Sequence, residues 1–190
     1  MKCPLEDPLH FSFVFRLSLN ILGIISLMKA FVKEMTTKGE LDRTDLKILR
    51  LLQGDGRLGN AEIAKRVNTS PATCHRRIQH LFSEGYISSV RAQITPHLVE
   101  RGTLAFVGVV LDRSTPESFG AFEAAVREMP VVLDCHVVAG DFDYFLKIRV
   151  RDMLDFNRLH AEKLIALPGV RQTRTFFVMK EVVDNAPLSF

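Results

Sequence analysis

The chain has 190 residues, of which 47% are hydrophobic and 25% are charged, and this composition is typical of a globular protein with one large domain or two small ones. The formal net charge is only +3, but residues 41–102 carry ten Lys or Arg against six Asp or Glu, whereas residues 103–190 carry ten against twelve. This local excess favours a polyanionic partner for the first block. Cys3, Cys74 and Cys135 are too few and too scattered for a disulfide framework or a metal knuckle, so a reducing compartment is expected.

Residues 9–32 are apolar and aromatic, and they are the part of the sequence with membrane character. Arg16 and Asn20 interrupt them, and the uninterrupted run from Ile21 to Met28 is much shorter than the roughly 20 residues that a spanning helix needs. Three interpretations of residues 1–40 stay open: an over-extended start with the working protein beginning at Met28 or Met35, an amphipathic appendage, or a signal or anchor.

The basic block predicts three helices. In the first, Asp42 and Asp45 form an N-cap pair, apolar residues follow at helical spacing, and the helix stops at the Gly-Asp-Gly of residues 54–56. A second, short helix is expected to begin with Asn60 as its cap and to carry a narrow apolar stripe. The third is expected to begin with Ser70 as its cap and to close at Gly85.

The third predicted helix has two unlike sides. At 100° per residue, an apolar sector with Cys74 and Ile78 opposes a polar sector with Thr73, Arg76, Arg77 and His80. If the apolar side docks on the other helices, the basic side is free to enter a DNA major groove; the alternative is a solvated charged face. The short preceding helix and the local charge favour DNA binding. The residues expected at the DNA are Asn60, Ser70, Pro71, Ala72, Thr73, His75, Arg76, Arg77, Gln79 and His80.

After an extended linker with Pro96 and Gly102, the pattern changes to a β-α-β-β-α-β order, which is the ferredoxin-like plan. Strands are expected at 104–112, 131–139, 143–150 and 170–183, with helices at 116–129 and 153–169. Alternation along 131–139 predicts that Val131, Leu133, Cys135 and Val137 face the helices and that Val132, Asp134, His136 and Val138 face away. The second face, shared with Phe145, Lys147 and Arg149, has no helix of this chain to cover it, so dimerisation across the sheets is expected.

The sequence offers no paired acid and base, phosphate-binding loop or hydrolase elbow, so we expect no catalysis, no cofactor and no metal. Cys135 and His136 are adjacent strand residues on opposite faces, so they cannot chelate one ion. Asp141 and Asp143 follow Gly140 at a turn between two apolar runs. From pattern alone, a divalent-ion pair and a solvated hairpin turn both stay open for them.

The segments LDRTDLKILRLLQGDGR (41–57), AEIAKRVNTSPATCHRRIQHLFSEGYI (61–87), GDFDYFLKIRV (140–150) and LPGVRQTRTFFVMKEV (167–182) resemble the Lrp/AsnC transcriptional regulators, and the leucine-responsive branch most closely. The resemblance runs from about residue 41 to residue 183. It implies an α+β chain with a winged-type helix-turn-helix domain and linker at 41–102, a ferredoxin-like effector domain at 103–183 and a tail at 184–190. It also implies a cytoplasmic DNA-binding protein whose dimers assemble into rings, often octamers, and which controls amino-acid metabolism.

The same resemblance implies an amino-acid effector bound at the contact between dimers. The glycine-led turn would donate N–H groups to its carboxylate, and an aspartate would accept from its ammonium group. The matching positions are Val137, Gly140, Asp141, Asp143, Met153, Phe176, Phe177 and Val178. This chain departs from the similar regulators at Phe176 and Phe177, where they have Tyr-Val, and at Arg151, where they have proline. The effector's identity, leucine included, is therefore open.

Two rival functions stay open on sequence grounds. One is a metabolite-binding or enzymatic ferredoxin-like domain whose helical block only contacts other proteins, and it would require a cluster of acids, bases or metal ligands that the sequence does not offer. The other is a membrane-tethered regulator that uses residues 9–32.

Overall fold

The computed structural model describes residues 41–190, and the interpretations of residues 1–40 lie outside this part of the chain. The described chain divides into two compact units. The helical unit comprises residues 41–94 together with 182–190, and the sheet unit comprises residues 95–181. In the described range, no helix has the length and apolar character needed to cross a membrane.

The helical unit contains the three helices that the sequence predicts. Helix α1 spans Arg43–Gly54, α2 spans Asn60–Arg66 and α3 spans Pro71–Ser83. Asp42 and Asp45 form a reciprocal capping box at the start of α1, as expected. Seven buried residues, contributed by all three helices and the turn after α2, make up the core: Ile48, Ile63, Ala64, Val67, Cys74, Ile78 and Leu81.

Two local expectations for this unit are wrong. Asn60 does not cap α2, because Gly59 occupies the N-cap position and makes no side-chain cap hydrogen bond. The winged form is not seen either, because residues 84–102 contain no strand. A strand needs a pairing partner, and the exposed residues Ser88–Gln93 have none within the described chain. A short 3₁₀ turn, Pro96–Val99, precedes the sheet.

The sheet unit has the predicted β-α-β-β-α-β order. Its elements are β1 (Thr103–Leu111), α4 (Pro116–Arg127), β2 (Val132–Val137), β3 (Tyr144–Val150), α5 (Met153–Leu159) with a π-helical continuation (His160–Leu164), and β4 (Val170–Phe177). The four strands form one antiparallel sheet in the order β2-β3-β1-β4. This ferredoxin-like arrangement confirms the predicted α+β class.

Both helices cover one side of the sheet. Alternate residues of β1 and β3, such as Val107 and Leu146, pack there against Phe122 of α4 and Phe156 of α5. Tyr144 is also buried on this side, and its hydroxyl donates a 3.0 Å hydrogen bond to Glu123. Burial and this carboxylate raise the pKa of Tyr144 far above its usual range, so the phenol stays neutral.

The alternation expected along β2 holds only past its first residues. The pairing register with β3 shifts between Val132 and Asp134, so Val132 pairs with Ile148 on the helix-covered side while Asp134 pairs with Lys147 on the other. Val132 therefore packs against the core, and Leu133 is exposed, contrary to the prediction. A bulge of one residue is sufficient to reverse the faces, because side chains alternate with a period of two.

Candidate DNA interface and effector site

The beginning of α3 is fixed by Ser70 and Pro71, as the sequence predicts. The Ser70 hydroxyl accepts a 3.2 Å hydrogen bond from the Thr73 N–H and lies 2.9 Å from the Thr73 hydroxyl. Pro71 occupies the first turn, where its missing N–H leaves no hydrogen bond unmade. These two residues therefore define where α3 starts and which way it points.

The two sides of α3 differ in burial. Cys74, Ile78 and Leu81 are buried in the helical core, and burial raises the pKa of the Cys74 thiol, which makes it less reactive. Thr73 is half-buried at the edge. The opposite side is exposed, and it carries Pro71, Ala72, His75, Arg76, Gln79 and His80.

Arg76 and Arg77 have different environments, which corrects the expectation that both lie free on the basic side. The Arg77 side chain turns toward α1, where its Nη1 lies 2.7 Å from Asp42 Oδ2 and 2.9 Å from Asp45 Oδ1. Arg76 is exposed, and its side chain makes no hydrogen bond or ion pair with residues 41–190. The sequence could not separate them, because adjacent helical residues lie 100° apart and Arg77 reaches the edge of the docked side.

The ion pairs of Arg77 tie α3 to the beginning of α1. The pKa of the Asp42 carboxyl is lowered from its usual value, first by the Asp45 backbone N–H and then by Arg77. The pKa of Arg77 is raised, mainly by its hydrogen bonds to Asp45 and Asp42. Arg77 therefore has a structural role within this unit.

Asn60 contacts the exposed side of α3 and does not cap its own helix. Its side-chain nitrogen lies 2.9 Å from Nδ1 of His75, fifteen residues further along the chain. Both residues were expected at the DNA, but nothing in the sequence indicates that their side chains meet.

The acidic turn after β2 is closed by Asp143. Its Oδ2 accepts a 2.8 Å hydrogen bond from the Leu111 N–H, its N–H donates to the Val109 carbonyl and its own carbonyl accepts from the Val138 N–H. Gly140 has φ +148, a conformation that favours glycine, although a Cβ there would meet no atom within 4 Å. Gly140 and Asp141 are exposed and Asp143 is half-buried. Asp143 thus holds the turn with one carboxylate oxygen.

The eight expected effector residues lie at two ends of the sheet. Val137 pairs with Tyr144 at the start of β3, so the turn that holds Gly140, Asp141 and Asp143 lies at that end. Met153 follows the other end of β3, and Phe177 pairs with Ala105 near the same end. Seven strand residues at about 3.3 Å each separate the two ends by roughly 20 Å. One copy of the chain does not bring the whole set together.

The last strand also divides its phenylalanines between the two faces of the sheet. Phe177 packs on the helix-covered side, with its ring 4.9 Å from that of Phe156. Phe176 lies on the opposite side, where Phe142 and Phe145 also lie. Of the expected residues, Val137, Met153 and Phe176 are exposed by about half, at 54%, 51% and 47%.

The uncovered sheet face carries a cluster of aromatic rings. Phe142 lies 5.1 Å from Phe145 and 6.2 Å from Phe176 between ring centroids, and Arg174 lies over the Phe142 ring. The Phe142 ring also rests on Gly108, where an added Cβ would lie 2.7 Å from it. Phe142 was missed by the sequence analysis, since it lies in the turn and follows no strand alternation.

Other charged groups on this face are paired. The Arg149 side chain is nearly buried, and its Nη2 lies 2.7 and 2.6 Å from the two carboxylate oxygens of Glu181.

Cys135 and His136 do not share a face of the sheet. In strand β2 they pair with Leu146 and Phe145 of β3, so their side chains lie on opposite faces. Among residues 41–190, no group of three or more His, Cys, Asp or Glu is placed to hold a metal ion.

A helix-turn-helix unit with an exposed basic helix, followed by a ferredoxin-like unit, defines a DNA-binding regulator with an effector domain. A family model described as the AsnC-type helix-turn-helix domain matches residues 41–81, and one described as the Lrp/AsnC ligand binding domain matches residues 104–188. The chain belongs to the Lrp/AsnC family of transcriptional regulators, which confirms the predicted family and function class.

Relatives support this assignment over most of the chain. The leucine-responsive regulatory protein of Salmonella typhimurium is 46% identical over 146 residues, which cover 77% of this chain and 89% of that protein. The protein of that name from Escherichia coli K12 is 45% identical over the same shares.

Solved structures of similar regulators support the same family assignment. A transcriptional regulator of Neisseria meningitidis in complex with L-Met is 36% identical, with a TM-score of 0.74, and the match covers 79% of this chain and 97% of that one. An AsnC family regulator from Agrobacterium tumefaciens is 32% identical, with a TM-score of 0.74, and the match covers 78% and 97%.

Proposed function

We propose that this regulator binds double-stranded DNA by inserting the exposed side of α3 into the major groove. The observation that carries the proposal is Arg76, an exposed guanidinium that no described residue neutralises. His75, Gln79 and His80 share that exposed side and accompany Arg76 toward the DNA, while Ala72 and Thr73 lie near the helix start. An unneutralised cation on a groove-sized helix is suited to a phosphate or to guanine O6 and N7.

Arg77 is assigned a supporting role. Its ion pairs to Asp42 and Asp45 hold α3 against α1, and the two carboxylates offset the charge that a phosphate would otherwise attract. Ser70 and Pro71 set the direction of α3, and Asn60 contacts His75. The DNA contacts are therefore concentrated on one side of one helix.

The experiment measures affinity for DNA upstream of the protein's own gene or the adjacent gene across a salt series. Arg76→Ala should weaken binding about tenfold or more and reduce the slope of log affinity against log salt by about one per subunit engaged. Arg77→Ala should lower stability with a smaller change in slope. If Arg76→Ala left both the affinity and the salt slope unchanged, the exposed side of α3 would not be the surface that contacts DNA.

We also propose that two copies associate through the uncovered sheet face and that such dimers build a larger ring, with an octamer as the expected size. The cluster of aromatic side chains formed by Phe142, Phe145 and Phe176 supports this association, because aromatic residues are enriched in protein interfaces.

A ring-shaped oligomer would place several α3 helices along one DNA molecule. Weak single contacts would then combine, because each bound helix raises the effective concentration of the next one at the DNA.

The effector site is proposed to lie between subunits. The turn of Gly140, Asp141 and Asp143 and the segment around Met153 and Val178 lie at opposite ends of one sheet, so a compact pocket that uses both must draw them from different copies. Asp143 commits Oδ2 to the Leu111 N–H, and its Oδ1 is left to accept from an ammonium group. We propose an amino acid as the effector. Among the relatives, one kind is named leucine-responsive and one structure holds L-Met.

Calorimetry against a panel of amino acids tests the effector site, and Asp143→Asn is the sharpest variant. The asparagine oxygen can still accept from the Leu111 N–H, while its NH₂ group cannot accept from an ammonium. We expect at least tenfold weaker effector binding by Asp143→Asn with an unchanged fold, and a smaller effect for Asp141→Asn. Parent-like binding of every panel member by Asp143→Asn would show that Asp143 does not contact the effector.

Mixing subunits tests whether the site is shared. Protein with Asp143→Asn and protein with Met153→Glu should each bind the effector poorly, and co-refolded mixtures should regain a fraction of the sites if each site draws on two copies. If the mixtures bound no more effector than either variant alone, Asp143 and Met153 would belong to the same subunit's part of the site. The protein is further proposed to act in the cytoplasm on genes of amino-acid metabolism, which transcript profiling of a deletion strain would test.

A further inference from the structure

We propose that Asn60 is a positioning residue that fixes the tautomer of His75, so that α3 presents an N–H donor to a base edge. The inference rests on the proposed groove binding by α3. Its basis is the 2.9 Å contact between the Asn60 side-chain nitrogen and His75 Nδ1. Asn60 is the first residue of α2 and His75 lies in the second turn of α3, so the contact joins the two helices on the exposed side.

The chemistry of the contact determines the tautomer. The amide nitrogen of asparagine can donate a hydrogen bond but cannot accept one, so Nδ1 of His75 must be the acceptor. A neutral imidazole whose Nδ1 accepts carries its proton on Nε2. Because Nε2 lies across the ring from Nδ1, the Nε2–H donor points away from Asn60 and is available to a ligand.

A helix-capping role does not account for Asn60. The N-cap of α2 is Gly59, which makes no side-chain cap bond, and the N-cap of α3 is Ser70. Within the described residues, the hydrogen bond of the Asn60 side chain is the one to His75. The side chain therefore acts on the orientation of the His75 ring.

A fixed Nε2–H donor gives His75 a preference among bases. In the major groove, guanine presents N7 and O6, adenine presents N7 and thymine presents O4 as acceptors, whereas cytosine presents an amino donor. The N-terminal part of a recognition helix is the part that reaches base edges, and His75 is the fifth residue of α3. The Asn60–His75 pair would thus favour a base that offers an acceptor and disfavour cytosine.

The tautomer is measured directly by ¹⁵N NMR of histidine-labelled full-length protein, at a pH well above the ordinary histidine pKa of about 6.5. We expect the Nε2–H form at His75 in the parent. Asn60→Asp should move the proton to Nδ1 or charge the ring, because a carboxylate can only accept. His80, on the same exposed side, is the internal reference and should not respond. An Nδ1–H signal in the parent, or a His75 signal unchanged in Asn60→Asp, would overturn the proposal.

Affinity for specific and unrelated DNA tests the consequence. Asn60→Ala and His75→Ala should each weaken specific binding about three- to tenfold, and the double variant should lose no more than His75→Ala alone. Binding to unrelated DNA should be unchanged, and Ser83→Ala, at the exposed far end of α3 and outside the proposed DNA contact, serves as the matched control. Additive losses, or equal losses on both DNAs, would overturn the positioning role. If the parent does not discriminate between the DNAs, the groove-binding proposal fails, while the NMR result still reports on the tautomer separately.

Discussion

The exposed side of α3 and the uncovered face of the sheet are two surfaces of opposite character. On α3, Arg76 stands without an ion pair to the described residues, and polar side chains surround it. On the sheet, phenylalanine rings contact one another and Arg149 is neutralised by Glu181. An unpaired cation is suited to binding DNA, because it displaces counterions from the phosphates and their release favours binding. Phenylalanine rings beside charges that are already paired are suited to a contact with another protein surface from which water is excluded. The contrast indicates which partner each surface takes.

The largest expected effect comes from placing a charge on the sheet face. Phe106 lies on the central strand β1 of this face, opposite Phe176 of β4, and is 37% exposed. In a two-fold dimer, Phe106→Glu would bury two unpaired carboxylates, so we expect the dissociation constant to rise at least about a hundredfold. Sedimentation equilibrium would measure it.

The matched control adds the same charge elsewhere. Leu154 is 69% exposed and lies on α5, on the other side of the sheet. Leu154→Glu should remain dimeric. Equal dissociation of both variants, or of neither, would remove the proposed difference between the sheet face and the rest of the surface.

A smaller effect separates the two adjacent arginines of α3. Arg77→Met removes two ion pairs to the capping box of α1, and we expect it to lower the free energy of unfolding by about 1 to 2 kcal/mol, a figure already reduced for solvent screening. Arg76→Met removes no ion pair with the described residues and should change stability by less than about 0.5 kcal/mol. Urea unfolding checks both. If both variants lowered the free energy of unfolding by the same amount, the ion pairs of Arg77 would contribute no stability that Arg76 lacks.

The same ion pairs give the stability difference a pH dependence with a definite sign. The pKa of Asp42 is lowered in the folded protein from its usual 3.8, so its contribution is present above that value and is lost as the pH falls through the lowered pKa. The difference between parent and Arg77→Met should therefore be constant near neutral pH and shrink in acid below about pH 4. A difference that grows in acid would contradict this pairing.

The periodic spacing of apolar residues and the capping residues predicted the helices and strands. Contacts between side chains that are distant in sequence could not be predicted. Ser70 with Pro71 and the Asp42–Asp45 box were readable because caps act within four residues. The Asn60–His75 contact joins residues fifteen apart through the relative placement of two helices, which no local pattern encodes. The β2 bulge was invisible for a related reason, since it depends on the pairing partner β3.

The site was predicted less completely than the fold. The choice of α3 as the exposed basic helix is consistent with the burial of Cys74 and Ile78, which followed from helical period. The effector residues came from resemblance, and their separation along β3 could be seen only once the strand register was known. Physical pattern predicted the elements and most of their faces, but it predicted neither the faces at the start of β2 nor the distances between residues on different elements.

The smallest expected effect concerns the last residues, which the sequence suggested only as a tail and which lie with the helical unit. Arg50 of α1 donates through Nε to the main-chain oxygen of Phe190 at 2.9 Å, and its guanidinium lies 5.5 Å from the Phe190 ring centroid. Gln53 donates to the Leu188 carbonyl. These contacts place the last residues beside α1, although Arg50 and Gln53 stay exposed. A double-mutant cycle of Arg50→Ala and Phe190→Ala, measured by urea unfolding, should give a coupling free energy of about 0.5 to 1 kcal/mol, since exposed cation–π pairs contribute that much.

Lys47→Ala combined with Phe190→Ala is the matched control and should show no coupling. Zero coupling at Arg50 would mean that the Phe190 ring does not contact the Arg50 guanidinium in solution.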